Sequence, residues 1–284
     1  MKLKSQFTID TAKKEDIATL LSFAKAEGWN PGLDDASPFF SCDPGGFFVA
    51  KLDDEIIGCI SAVRYGPQYG FMGFYIVLAP YRGKGYGLKL WNKAIEYMGD
   101  RAIGLDGVVA QQDNYKKSGF ELAHRNFRFE AVSLPHQTLP AEILELKRLP
   151  FDEILKYDTR IFGVERKAFL SEWITLPHGV ALGYLGQGNV LKGYGVLRKC
   201  HHGYKIGPLF ADNRTIAEQL LDTFRSRAEE GPVYFDVPAT NPEAMTMARD
   251  RKMTLSFETA RMYRGKPPRQ PIDKIYGITT FELG

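Results

Sequence analysis

Apolar and polar residues alternate around Phe7 and Ile9, which predicts a short strand, and the period then lengthens to place Ile17, Leu20, Leu21 and Ala24 on one helical face after Thr11 as N-cap. Gly28 ends that helix. The turn-rich Gly28-Trp29-Asn30-Pro31-Gly32 leads into a short helical stretch over 33–40, broken again at Asp43-Pro44-Gly45-Gly46. Runs at 47–52 and 56–64 flank Asp53-Asp54-Glu55 and read as a hairpin. A third apolar strand, 71–78, runs into Pro80-Tyr81-Arg82-Gly83-Lys84-Gly85-Tyr86-Gly87, and a helix continues to about Met98 with Leu88, Trp91 and Ile95 on its expected buried side. Strands at 105–110 and 127–132, with a short helix around Tyr115, complete this half.

Pro135, Pro140 and Pro150 bracket a change of texture, so the chain divides into a unit at 1–134, a linker at 135–147 and a second unit at 148–284. Beyond the linker, 151–173 is helical, followed by strands at 180–185, 190–197 and 204–209 and a helix over 214–229. A strand at 233–237, a helix opened by Asn241-Pro242-Glu243 and strands at 253–263 and 275–283 follow. The fold class is α/β (α+β), and the second half echoes the order of the first without its glycine loop.

Composition narrows the function classes. Of 284 residues, 44% are hydrophobic and 25% charged, enough for a packed core. Lys and Arg (37) exceed Asp and Glu (34) by three, too small a basic excess for a nucleic-acid binder. Cys42, Cys59 and Cys200 lie far apart with no metal-ligand spacing, which fits a reducing compartment. No segment approaches the roughly 18 apolar residues of a membrane span, and no apolar leader follows Met1, so the expected location is the cytoplasm. His201-His202 is expected at a hairpin tip, since adjacent strand positions point to opposite faces and cannot share a metal.

The glycine loop carries the chemistry. Arg82-Gly83-Lys84-Gly85-Tyr86-Gly87 lies between an apolar strand and an amphipathic helix, where backbone N–H groups and the helix dipole favour an anion. Glycines let the main chain approach phosphate oxygens, Arg82 and Lys84 add positive charge, and a diphosphate suits the place. The nucleoside triphosphate loop is absent, and Leu88 occupies the third glycine of the dinucleotide fingerprint.

Arg82-x-x-Gly85-x-Gly87 resembles instead the Q/R-x-x-G-x-G/A signature of the GNAT superfamily of N-acetyltransferases, and Tyr115-Lys116-Lys117-Ser118-Gly119-Phe120 resembles its downstream Y-x-x-x-G-F element. Glu27-Gly28-Trp29-Asn30-Pro31-Gly32, Gly73-Phe74-Tyr75-Ile76-Val77, Ile206-Gly207-Pro208-Leu209 and Phe235-Asp236-Val237-Pro238 extend the likeness to tandem proteins of this superfamily. The resemblance implies two GNAT-like domains, each a mixed central sheet flanked by helices, the second diverged. It implies acetyl-CoA as co-substrate, with no metal, and a small-molecule or amino-acid-like primary amine as acceptor that attacks directly. Nucleic acid and membrane are not implied partners. A CoA-binding sensor without transfer, and a protein N-acetyltransferase, are the alternatives.

By the same resemblance, the pantetheine arm pairs with Ile76, Val77 and Leu78, and an amide near Val77 or Leu78 stabilises the oxyanion. The diphosphate falls to Arg82, Gly83, Lys84, Gly85, Tyr86 and Gly87, and Tyr115 is the acid for the leaving thiolate. Trp29, Asn30, Asp34 and Tyr75 are candidates for the acceptor wall. The central strand has no Asp or Glu to act as base, and the alternatives are Asp34, Asp35, Asp106, Asp113, or ordered water with help from Tyr75. In the second half Phe210-Ala211-Asp212-Asn213 replaces the glycine loop, so CoA binding is expected to be lost there, with Asp236 and Asn241 as polar candidates.

Overall fold

A computed structural model describes residues 6–284. The first half opens with β1 (Phe7–Thr11) and α1 (Ile17–Ala26), then α2 (Ala36–Cys42), β2 (Phe47–Leu52) and β3 (Glu55–Tyr65). Asp53 and Asp54 make the two-residue turn of the β2–β3 hairpin, both at positive φ, the backbone that matches strand twist in tight hairpins. β4 (Tyr69–Val77), α3 (Tyr86–Met98), β5 (Ala102–Val108), α4 (Gln112–Lys117) and β6 (Glu121–Val132) follow. On α3 the buried positions are Leu90, Trp91, Ala94 and Met98, whereas Leu88, expected inside, is 63% exposed. The helix starts at Tyr86 and turns Gly87 toward Tyr75 and Val77 of β4, which leaves Leu88 on the outer side.

The second half comprises β7 (Ile143–Glu145), α5 (Phe151–Phe162), α6 (Lys167–Trp173), β8 (Gly179–Leu185), β9 (Leu191–Lys199) and β10 (Tyr204–Ala211). It continues with α7 (Arg214–Arg227), β11 (Pro232–Pro238), α8 (Pro242–Asp250), β12 (Thr254–Arg264) and β13 (Ile275–Gly277). β7 falls inside the segment expected as linker and pairs with the edge of β8. The final strand is shorter than its apolar run predicts, because the chain turns at residues 280–283 instead of continuing along the sheet.

The thirteen strands among the described residues join one mixed sheet in the order β1-β2-β3-β4-β5-β12-β6-β11-β10-β9-β8-β7, with β13 on β10. Most neighbours are antiparallel, and the parallel pairs are β4–β5 and β10–β11. At the centre the halves exchange strands: β12 of the second half lies between β5 and β6 of the first, and β6 pairs with β11 of the second. On one face α1, α2, α5 and α6 share a continuous core that includes Leu20, Phe39, Phe74, Phe169, Trp173 and Tyr194. On the other face the cores separate, one around Leu90 and Trp91 of α3 and one around Leu220, Phe224 and Met247 of α7 and α8. The apolar residues Phe162, Phe169 and Trp173 are thus core.

Candidate active site

β4 and β5 pair in parallel from Tyr69 opposite Ala102 to Met72 opposite Leu105 and then part. The cause lies in β4. Against β3, Ser61 faces Gly73 while Cys59 faces Ile76, so β4 carries one extra residue, and Phe74 takes a positive φ of 48. Such a bulge bends its strand, and here it turns residues 73–77 away from β5. A cavity of about 640 Å³ opens between the parted ends. Ile76, Val77, Tyr81, Arg82, Gly83, Gly87, Gln111 and Tyr115 line one end; Trp29, Arg128, Phe257, Thr259, Phe281 and Glu282 line the other.

At the first end, the Leu78 amide donates to the Ile57 carbonyl at 2.9 Å, so strand alternation directs the Val77 amide away from β3, toward the gap. Of the two amides expected to face an oxyanion, Leu78 is already bonded. Arg82 Nε donates to the Val77 carbonyl at 2.7 Å and its guanidinium also pairs with Glu27, fastening the loop to the strand end. Gly83 and Gly85 adopt left-handed φ of 74 and 83, and Gly85 precedes α3 with no side-chain cap on the helix start. Lys84 is exposed, with its ammonium 5.6 Å from the Tyr81 ring, and Tyr86 stacks on Phe7 at 4.8 Å. Leu78, Lys84, Gly85 and Tyr86 do not line the cavity, whereas Tyr75 does.

Tyr115 on α4 stacks on Trp91 at 5.6 Å and is 9% exposed. Its ring lies so close over Gly107 of β5 that any Cβ at 107 would overlap it. Burial, reinforced by Tyr75, pushes the phenol up to about 12, which keeps it in its proton-donating form at neutral pH.

Of the expected acceptor residues, Trp29 and Tyr75 line the cavity. Asn30 does not: its side chain exchanges two hydrogen bonds with the backbone of His202, at 2.7 and 2.9 Å, which also places the His201-His202 pair at a hairpin tip. Asp34 is held by the amide and ring of His178, away from the cavity. Asp35 is buried against Arg198, and Asp113 pairs with Lys116 on the surface. Asp106 does border the cavity, yet both its oxygens take the Arg261 guanidinium, at 2.7 and 2.6 Å, and Asn126 adds a third bond at 2.7 Å. Beneath Trp29, Arg128 grips Asp236 bidentately at 2.7 and 2.8 Å, and Lys205 donates to the Trp29 carbonyl at 2.9 Å. Burial and the nearby Arg128 bring Lys205 down to about 8. No group of metal-ligating side chains exists among the described residues, and no helix among them is long and apolar enough to cross a membrane.

Residues 14–120 match the acetyltransferase (GNAT) family and residues 154–277 match an acetyltransferase (GNAT) domain. A holothin acyltransferase of Pseudoalteromonas sp. (strain SANK 73390) is 32% identical over 281 residues, covering 98% of this chain and 95% of that protein. The chain belongs to the GNAT family. An uncharacterized N-acetyltransferase of Bacillus subtilis (strain 168) is 25% identical over 280 residues, 95% of this chain and 96% of its own. In fold, a putative acetyltransferase from Pyrococcus horikoshii superposes with a TM-score of 0.83 at 23% identity, covering 100% of this chain and 98% of that one. The protein is thus an acyltransferase built of two GNAT domains in tandem, from a family that uses acetyl-CoA as co-substrate.

The second GNAT domain repeats the scaffold and closes it. β10 is bulged against β9 between Ile206 and Leu209, and its parallel pairing with β11 stops at Ile206 opposite Phe235. Into that gap goes β13, pairing with Leu209 and Phe210, and the Ile278 amide donates to the Asp236 carbonyl at 2.8 Å. α7 is capped by Asn213, whose side chain accepts from the Ile216 amide at 3.0 Å. Asp236 is the partner of Arg128 and Asn241 caps α8, so neither polar candidate of this domain is left open.

Sequence reasoning missed Phe257, Thr259, Phe281 and Glu282. They reach the first domain's cavity through the strand exchange and through the turn after β13. Only the register of β12 and the path of the last residues could reveal them.

Proposed function

We propose that the protein transfers an acetyl group from acetyl-CoA to the primary amine of a small molecule by direct attack. The observation that carries this reading is the open gap at the end of β4, lying beside a helix start that no side chain caps. The pantetheine arm would lie along Ile76 and Val77, with the Val77 amide as oxyanion donor. Its diphosphate would meet the amides of Gly83, Gly85 and Gly87 at the start of α3, with Lys84 adding charge from solvent. Tyr115, whose hydroxyl has no partner among the described residues, would protonate the departing sulfur. The cavity between Trp29, Phe257 and Phe281 would hold the acceptor. The relative named for holothin supports a small-molecule acceptor over a protein chain.

Thiol release from acetyl-CoA, measured over a panel of primary amines and with holothin, tests the reading. We expect turnover with at least one amine, and Tyr115→Phe to lower kcat about 10²-fold while the Kd for acetyl-CoA stays unchanged. Tight acetyl-CoA binding with no thiol release from any amine would leave a CoA sensor instead.

A further inference from the structure

Six buried charges gather under Trp29: Arg128 (6% exposed), Arg198 (3%) and Lys205 (2%) against Asp35 (1%), Asp236 (5%) and Glu282 (5%). They come from β6, β9 and β10 on the cationic side, and from the start of α2, from β11 and from the turn after β13 on the acidic side. Two carboxylates are spent, Asp236 on Arg128 and Asp35 on Arg198 and the Gly32 amide. Glu282 differs. It borders the cavity, it lies in the field of Arg128, Arg198 and Lys205, and no group among the described residues hydrogen-bonds its carboxylate.

Its backbone is fixed in place. The Glu282 carbonyl packs on Gly73 of β4 so closely that a Cβ there would overlap it, which sets Glu282 beside the parted strand end. The Tyr65 hydroxyl donates to the Leu283 carbonyl at 2.8 Å, and the Leu283 amide donates to Thr280 Oγ1 at 2.9 Å. Arg128, Arg198 and Lys205 balance the Glu282 charge from beyond hydrogen-bonding distance, so what its oxygens lack is a donor, and the cavity is where one can enter.

The remaining walls limit what that partner carries. Trp29, Phe74, Phe257 and Phe281 are flat and apolar, and Thr259 Oγ1 is a buried hydroxyl without a partner. The cations on the cavity wall are Arg82, tied to Glu27, and Arg128, tied to Asp236. A substrate carboxylate would find no unspent cation, whereas an ammonium would find Glu282. We propose that Glu282 binds the acceptor's ammonium and takes its proton, and that the acceptor is a primary amine on a flat, uncharged ring without a carboxylate.

The proton step rests on the acetyl-transfer reading. The ammonium gives one proton to Glu282, which passes it to water. The freed nitrogen lone pair bonds the acyl carbon and the carbon–sulfur bond breaks. The sulfur takes its proton from Tyr115, and the second proton leaving the nitrogen restores the phenol.

Calorimetric titration of the full chain at pH 7 with benzylamine, benzyl alcohol and phenylalanine tests the site without turnover. Wild type should bind benzylamine at least about tenfold more tightly than either other compound, a charge-assisted hydrogen bond's worth of affinity. E282Q should lose that preference while keeping its acetyl-CoA affinity. No preference for benzylamine in wild type, or an undiminished one in E282Q, overturns the proposal. In thiol release, E282Q should lower kcat/KM for benzylamine by about 10²-fold at pH 7, with recovery as the pH nears the pKa of the amine and partial rescue by E282D. An unchanged pH profile overturns the proton role. If benzylamine binds through Glu282 but no amine releases thiol, the transfer reading fails and the ammonium site stands.

Discussion

The two domains of this chain build the same gap and treat it in opposite ways. In each, a bulge turns the outer half of a central strand from its parallel neighbour, β4 from β5 and β10 from β11. In the first, the parted edges and the start of α3 keep amides without chain partners. In the second, β13 pairs with the free edge of β10 and Asn213 occupies the start of α7. Buried backbone groups are almost always paired, so an edge left bare inside a fold offers a ligand somewhere to bond, and an edge paired by its own chain offers none. In the second domain the absent glycine loop, the Asn213 cap and the pairing of β13 act together to fill the gap.

The strongest challenge to this comparison is to separate the domains. Expressed alone, residues 1–134 lack β12, and we expect neither cooperative melting nor acetyl-CoA binding; a fragment showing both by calorimetry would mean that the shared sheet is dispensable. Next comes Gly85→Val, which places a branched side chain at a left-handed φ costing roughly 1–2 kcal/mol and covers the start of α3. Loss of the contacts there should weaken acetyl-CoA about 100-fold in an isothermal titration. An unaltered Kd would show that the bare helix start is not used.

A smaller effect is expected from Gly107→Ala, whose Cβ collides with the Tyr115 ring. Overpacking of this kind costs about 1–3 kcal/mol, seen as a lowered Tm, and kcat should fall toward that of Tyr115→Phe with acetyl-CoA affinity retained. Because Tyr115 is raised to about 12, its neutral donor form persists at alkaline pH, and kcat should show no alkaline limb from this group below about pH 11. The mildest change is Asn213→Ala, which should cost about 1 kcal/mol in urea denaturation and leave acetyl-CoA binding untouched. A change in that binding would mean that the second domain still takes part.

What the residues reveal follows the range of the forces involved. The hairpin at Asp53-Asp54, the helix start at Asn241-Pro242 and the glycine loop before α3 are local, and local chemistry is written in adjacent residues. Leu88 was misplaced because helical period alone does not say that α3 turns Gly87, Leu90, Trp91 and Ala94 to the sheet, which leaves Leu88 pointing outward. The bulge at Phe74 leaves no pattern in the apolar run it interrupts. Hardest of all was Glu282, which reaches β4 by a contact spanning more than two hundred positions; nothing near it in the chain distinguishes it from any glutamate at a turn. Asp106 looked equally eligible as a base until Arg261, on a strand from the other domain, proved to hold both its oxygens.

The strand exchange also sets a timetable for synthesis. β6 leaves the ribosome long before β12, its neighbour in the sheet, and between Val132 and Thr254 the nascent chain carries β5 and β6 with facing edges unpaired. At about 5–20 residues per second that interval is on the order of ten seconds. Through it the glycine loop already exists while the far wall of its cavity does not, so the first domain to be translated is completed by residues made more than a hundred positions later.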